Sequence, residues 1–285
     1  TTEDFQHMLI IFTKKGITSL WDIDVDQDLK KSTQNIFYIG QDGLGLPDKD
    51  YYTKTDKESV KIQIAYKKYI QTVMMLLGYS LRDAQKRVAI IFSIENRLAR
   101  ASMGRVELRD PYKIYNKKSK RELKTLVSNF SWDTYFKKIH VKNFSTCIVT
   151  QPLFLKKVNS LIKTVPINEW GVYLEWHLVN DTASYLSQNF IDAKFAFYGK
   201  ILTGDKKMKP LWRRVAKVVE GSVGEVLGKL YVKKHFGKES KEKMNILIND
   251  LFVVFEKRIQ NLEWMTEATK KKAITKLRSM GRKIG

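Results

Sequence analysis

Apolar residues recur at helical spacing along nearly the whole chain, and residues that start and stop helices punctuate the recurrences. Ser59 reads as the N-cap of a helix over Val60–Leu77, and Gly78 stands where a left-handed C′ residue closes it. Ser80-Leu81-Arg82-Asp83 reads as a capping box with Asp in place of Glu. It opens a helix to about Ser102, with Val88, Ile91, Phe92, Ile94 and Leu98 on one stripe. Ser119-Lys120-Arg121-Glu122 opens a short helix, and Ser131 another that carries Trp132, Tyr135, Phe136 and Ile139. Pro152 suits the first turn of a helix through Leu161 and Ile162, which Pro166 ends. A long helical stretch is expected from about Glu169 to Leu202, and Lys209-Pro210 opens the next helix. From Glu239 to Leu262 the face holds Met244, Leu247, Leu251, Phe255 and Ile259; Thr266 then caps a last helix ending near Gly281.

A single region reads as extended. Ile36-Phe37-Tyr38-Ile39 is short, aromatic and β-branched, with Thr18–Val25 as its partner strand. The pattern therefore predicts a mainly α protein, a multi-helix lobe with one small β-hairpin near residues 18–40. No internal repeat or low-complexity linker marks a boundary within residues 1–285.

The 285 residues carry 52 Lys+Arg against 30 Asp+Glu, a formal charge of +22. The charge comes in short pieces, such as Lys117-Lys118, Lys156-Lys157, Arg213-Arg214 and Lys270-Lys271-Lys272, which reads as a solvated surface. No nucleic-acid motif accompanies it, so no nucleic-acid partner is expected. Apolar runs such as Val73–Leu77 are far too short to span a bilayer, so no membrane contact is expected from this segment. With 43% hydrophobic and 12% aromatic residues the chain can build a sizeable core. Thr1 opens the chain without an initiator Met, and both ends read as cuts through a longer protein.

Local catalytic signatures are missing. A zinc peptidase helix needs two histidines four apart, and His7, His140, His177 and His235 supply no such pair. His177, within Leu174-Glu175-Trp176-His177-Leu178, reads as a hydrogen-bonded core histidine. Gly40-Gln41-Asp42-Gly43-Leu44-Gly45 lacks the dinucleotide spacing and reads as a turn, and no phosphate loop or nucleophile elbow occurs. Glu95-Asn96-Arg97 reads as a helix-surface ion pair, and the single cysteine, Cys147, as structural. No residue is assigned a catalytic, metal-binding or cofactor-binding role.

Several strings go beyond composition. Gly43-Leu44-Gly45-Leu46-Pro47-Asp48-Lys49-Asp50-Tyr51-Tyr52 resembles the GLGLP-x-(R/K)-DYY segment of neprilysin-family zinc metallopeptidases, the family of the endothelin-converting enzymes and bacterial PepO. Asp24–Ser32 resembles a diverged V-x-x-D-D-K-N-S strand and turn of that family. Arg109-Asp110-Pro111 with Tyr115-Asn116-Lys117 resembles its R-D-P…Y-N-K stretch. Trp212-Arg213-Arg214, Gly228-Lys229-Leu230-Tyr231-Val232, and Leu262-Glu263-Trp264-Met265 followed by Thr269-Lys270 are similar to further strings of the family. The likeness runs from about Ser19 to Gly285, and the near-absence of cysteine is closer to bacterial members than to animal ones.

The resemblance implies that residues 1–285 are a partial N-terminal helical lobe of a neprilysin-like peptidase. Such a lobe encloses peptide substrates and is not catalytic. The parent would be a zinc metalloendopeptidase whose H-E-x-x-H and E-x-x-x-D motifs lie later in its sequence, so zinc belongs to the parent and this segment alone is expected to be inactive. Its partners would be peptide substrates and its own C-terminal catalytic domain, with an apolar docking surface left exposed. A bacterial cell-envelope or secreted location is favoured over a cytoplasmic one. The rival expectation is a stand-alone module that binds peptides or acidic surfaces, with a nucleic-acid binder, motivated only by the charge, ranked below it. Gly43 and Gly45 are expected at positive φ, Asp110-Pro111 as a helix stop and turn, and Tyr51, Tyr52, Trp212 and Trp264 packed between helices. Arg213 and Arg214 are expected to pair with buried carboxylates or to line the cavity wall.

Overall fold

Helix capping by short polar side chains lays down most of the architecture. The computed structural model describes residues 1–17, 20–141 and 144–284, and its contacts divide the chain into Thr1–Met208 and Lys209–Gly285. The first unit opens with α1 (Thr2–Lys15), where Thr1 and Asp4 form a capping box and Gly16 closes the helix at φ 65°. Two strands follow, β1 (Trp21–Asp28) and β2 (Lys31–Gln41), then α2 (Asp50–Thr53), α3 (Lys57–Leu76) and α4 (Leu81–Ala99). Ser80 caps α4 through the Asp83 amide as expected. The cap of α3 is Asp56, not Ser59: its carboxylate accepts from the Ser59 amide, so the helix begins two residues before Ser59.

Next come α5 (Pro111–Ile114), β3 (Lys117–Ser119), α6 (Lys120–Leu126), α7 (Trp132–Lys138), β4 (Thr146–Val149), α8 (Pro152–Thr164), α9 (Ile167–Thr182) and α10 (Gln188–Lys194). Asp110 ends a short 3₁₀ helix over Glu107–Arg109 as expected, but a new helix follows where a turn was expected. Asp110 caps α5, whose Pro111 occupies the first turn. The single long helix expected over 169–202 is broken. Thr182 turns its hydroxyl back onto the Leu178 carbonyl at 2.7 Å, a 3₁₀ turn covers Ala183–Tyr185, and α10 restarts after Ser187. Short polar side chains in Asn180-Asp181-Thr182-Ala183-Ser184 compete with the helical backbone for hydrogen bonds. After α10 the chain widens into a π-helical segment over Phe195–Leu202.

The expected hairpin is present, with β1 antiparallel to β2; Thr18 and Ser19 of the partner strand lie outside the described residues. It is part of a larger sheet, in the order β1-β2-β4-β3, with β2 and β4 parallel. β3 and β4 are three and four residues long, too short for a period-two pattern to show in the sequence. On the edge strand β1, the Val25 and Gln27 amides are taken by the carboxylates of Asp24 and Asp26, each at 2.7 Å. Those amides are closed to a further strand.

Two apolar clusters fill the first unit. One gathers Phe5 and Phe12 of α1, Phe37 of β2, Trp132 and Phe136 of α7, and Phe154 of α8. The other gathers Tyr66, Tyr69 and Ile70 of α3 with Trp176 of α9 and Phe197 of the π segment. Helices α4 and α9 serve both: Ile94 and Trp170 face the first cluster, Ile91 and Trp176 the second. Each fully buried aromatic or aliphatic side chain contributes about 1.5–3 kcal/mol.

The second unit consists of α11 (Leu211–His235), α12 (Lys238–Gln260) and α13 (Glu267–Arg278). Thr266 caps α13 as expected. Helix α11 kinks at Val223, between Gly221 and Gly224, where φ is −134°. Glu256 on α12 bonds Arg278 on α13 through both guanidinium Nε and Nη2, at 3.1 and 2.5 Å. Few apolar residues are buried here, Ile259 and Leu277 among them. Trp212 and Trp264, expected between helices, are 65% and 76% exposed, because no described element covers them.

Cys147 lies on β4 with no exposed surface, and burial, with the nearby Glu122 charge, pushes its thiol up to about 12. In the folded chain at pH 8 it is expected to react with a disulfide reagent about a thousandfold more slowly than in urea. A stoppered-flow absorbance assay of thiol release in both states checks this.

Candidate functional site

The segment Asp42–Pro47 has no strand or helix partner for its backbone, so side chains supply the bonds. Gly43 takes φ 89°, the left-handed region that favours glycine. Gly45 does not have positive φ, contrary to expectation. It is required for closeness: a Cβ there would stand 2.8 Å from Tyr66 Cζ and 3.0 Å from Glu95 Oε1.

Glu95, at the centre of α4, is the anchor. The sequence reads it as a surface ion pair with Arg97, yet its side chain is 0% exposed, and Arg97 bonds the Thr164 hydroxyl instead. The misreading has a plain cause: Glu95 follows Ile91 and Ile94 on the buried stripe, and its donors lie far away in sequence. The Gly45 amide donates to Oε1 at 3.2 Å, and Trp176 Nε1 approaches the same oxygen at 3.3 Å. Tyr52 Oη donates to Oε2 at 3.0 Å, and Tyr66 Oη reaches both oxygens at 2.9 Å.

The same phenols and their neighbours hold the loop. Tyr52 Oη accepts from the Leu46 amide at 2.9 Å, Tyr173 Oη donates to the Gly43 carbonyl at 2.8 Å, and Tyr198 Oη donates to the Gly45 carbonyl at 2.6 Å. Tyr52, Tyr66 and Tyr173 are pushed well above the ordinary phenol range, first by burial and then by the Glu95 charge. They therefore stay protonated as donors.

His177 lies in the core as expected, but among the described residues it has no hydrogen-bond partner. Its Nε2 is 3.3 Å from Glu95 Oε1 without hydrogen-bond geometry, and Nδ1 also lacks a partner. Its ring tilts against Tyr173 with centroids 4.3 Å apart. Asp42 sits at the start of the loop. Burial pushes it up to about 6, opposed by the Gly43 amide and by His177, and reinforced by Asp22 and Asp181.

The other strings singled out in the sequence meet in pairs. Tyr115 Oη and Lys117 Nζ bond the two oxygens of buried Asp28 at 2.8 and 2.9 Å. Lys117 first, then the Lys30 amide and Tyr115, hold that carboxyl down to about 2. Arg105 Nε pairs with Asp48 at 2.5 Å, and Lys49 with Glu107 at 3.5 Å. Among the described residues neither Arg213 nor Arg214 has a carboxylate within ion-pair distance; Arg213 stacks over the Trp212 ring. Tyr51 is half-buried and Tyr52 buried.

Chemically, the Glu95 site is closed. Its oxygens are saturated by donors and it presents no exposed nucleophile, so it positions a loop and does not react. Among the described residues, no group of three His, Cys, Asp or Glu is placed to hold a metal ion. The donor set here does not fit zinc.

The sequence profile of Peptidase family M13 matches residues 1–285, and the chain belongs to that family. Endothelin-converting enzyme 1 of Bos taurus is 31% identical over 291 residues, covering 99% of this chain and 38% of its own length. Neutral endopeptidase of Lactobacillus helveticus is 30% identical over 262 residues, covering 92% of this chain and 40% of its own length. The inhibitor-bound crystal structure of the Mycobacterium tuberculosis zinc metalloprotease Zmp1 superposes with a TM-score of 0.90 at 30% identity, over 97% of this chain and 42% of that one. The chain thus spans less than half the length of these relatives.

Replacing Glu95 by Ala takes the acceptor from the Gly45 amide and the Tyr52 and Tyr66 hydroxyls, leaving Trp176 Nε1 only Tyr66 Oη at 3.1 Å, and is expected to cost about 3–5 kcal/mol. Tyr66→Phe should cost about 1 kcal/mol, since Gly45, Trp176 and Tyr52 still satisfy the carboxylate. Urea titrations followed by tryptophan fluorescence read both. A raised carboxyl favours folding while protonated, and that contribution is lost as pH rises from about 4 through about 6. Asp42→Asn is therefore expected to flatten stability between pH 4 and 7, and to exceed the parent at pH 7 by about 2 kcal/mol. Urea midpoints measured across that range test the sign.

Proposed function

We propose that this chain forms the substrate-enclosing, non-catalytic lobe of a zinc metalloendopeptidase that hydrolyses oligopeptides. The observation that carries the reading is the match to Zmp1 along 97% of the chain at a TM-score of 0.90, within a shown membership of Peptidase family M13. In the whole enzyme, zinc supplies Lewis-acid polarisation of the scissile carbonyl and activation of water. This segment contributes none of the metal ligands. Its own work is to wall off the peptide, with the rigid Glu95 core fixing the Asp42–Pro47 loop and the helices around it.

The second unit supplies the contact with the catalytic domain. Its helices carry exposed Val226 and Leu230 on α11, and Leu251 and Val254 on α12, far more apolar surface than three isolated helices keep in water. The occupant is the C-terminal catalytic domain of the same protein. The charged ends of α12 and α13, paired at Glu256–Arg278, stay at the rim.

The purified 285-residue chain is expected to show no chelator-sensitive cleavage of a fluorogenic oligopeptide with zinc present. The natural protein is expected to be much heavier by intact mass and to cleave the same peptide. Natural material that ends near residue 285 would overturn the reading in favour of a stand-alone binding module. Leu230→Asp and Val254→Asp are expected to shift the melting of the 285-residue chain by less than about 0.5 kcal/mol, since both residues are exposed in it. In the longer protein the same changes should cut stability by about 2 kcal/mol or more and lower activity with it, measured by calorimetry and turnover.

A further inference from the structure

Positive charge is abundant on this chain, but most of the cations around α6 already have partners. Lys120 and Lys124 both reach Asp133, at 3.0 and 2.5 Å, and Lys118 reaches Glu122 at 3.2 Å. A cavity of about 580 Å³ opens beside this helix, between it and α8. Lys118 lines it from β3 and Arg121 from the first turn of α6, while Lys156 and Asn159 line it from α8, one helical turn apart. Among the described residues neither Arg121 nor Lys156 has a carboxylate within ion-pair distance.

One carboxylate does line the cavity. Glu122 is already engaged: Oε2 accepts from the Ser119 amide and hydroxyl, each at 2.8 Å, and Oε1 from Lys118 at 3.2 Å. The Ser119 amide first, with those partners, holds it down to about 2, so it stays ionised near neutrality, with its charge shared between Ser119 and Lys118. Asn159 is oriented by its neighbour. Its Oδ1 accepts from the Asn129 amide at 2.9 Å, which leaves the Nδ2 hydrogens as donors.

We propose that the α6–α8 cavity binds a small tetrahedral oxyanion, as free phosphate or sulfate or as the head of a phosphate or sulfate monoester. The planar guanidinium of Arg121 offers two parallel donors to such a group, Lys156 adds a point charge from the facing helix, and the Asn159 amide adds a neutral donor. The cavity is several times larger than the anion, which leaves room for the body of an ester beside Leu126. What marks this place is that Arg121, Lys156 and the oriented Asn159 amide line one cavity from two different elements.

The test is a nitrogen-15 NMR titration of the 285-residue chain with inorganic phosphate, then with sulfate and with glycerol 3-phosphate. The probe is the Asn159 side-chain amide. Saturable shifts are expected, weakened at least about tenfold in Arg121→Gln/Lys156→Gln and within about twofold of the parent in Lys206→Gln/Lys207→Gln, which removes equal charge from an exposed loop. Tighter binding of glycerol 3-phosphate than of either free ion would assign the site to an ester. Equal binding would assign it to the free anions. Absence of saturation, or equal weakening in both double variants, would overturn the proposal, the latter because it marks diffuse attraction by the net charge. All four substituted residues are exposed and solvated, and matching melting curves would confirm that each variant is folded.

Discussion

A carboxylate placed in an apolar core costs several kcal/mol unless donors saturate it, and the arrangement of the first unit follows from how Glu95 is saturated. Its donors come from a loop, from α2, from α3 and from α9, four places that share no local sequence. Each must arrive within about 3 Å for the charge to be tolerated. Once they do, the crossing of α4 with α3 and α9 is fixed. The two apolar clusters, which both draw on α4 and α9, then share one reference point. The phenols gain a second role, since those that serve or surround the carboxylate also bond the backbone of Gly43–Leu46.

The same economy recurs at smaller scale. Asp28 at the end of β1 is clamped by Tyr115 and Lys117, so the hairpin is tied to the start of β3. Asp48 meets Arg105 just beyond the glycine loop. These are the strings by which the chain resembles its family, and in each case the residues stand together because one ion or one strained turn needs the other. A string shared with the family is thus a scaffold requirement here.

The two units differ in what they can bury. The first has a sheet, two aromatic clusters and a saturated polar centre. The second has three helices whose apolar residues remain largely in water, with Ile259 and Leu277 among the few buried ones. A hydrophobic helix face left open marks a contact surface. Net charge plays no part in this contrast. Acidic residues are spent as caps and clamps, at Asp56, Glu122 and Asp133, and the surplus cations are left on the surface.

Much of the helical layout was determined by the sequence alone, because caps and periodicity are local. Ser80, Ser119, Thr266, Gly78 and Pro152 act where their chemistry directs, and the aromatic hairpin over 36–39 pairs as its pattern requires. Local rules failed where the deciding partner is distant. Glu95 looks like any charged residue of a helix until Tyr52, Tyr66, Trp176 and Gly45 are brought to it, and His177 looks like an ordinary bonded core histidine. Strands β3 and β4 are too short to signal themselves and exist because β2 offers them a ladder. Gly45 is a glycine because of a ring that lies across the fold, not because of its own φ. The exposure of Trp212 and Trp264 was likewise invisible to periodicity, which identifies an apolar face but not whether anything covers it. Sequence fixes what each segment can become at the range of one helical turn; burial and polar satisfaction act between segments, and only the tertiary structure decides them.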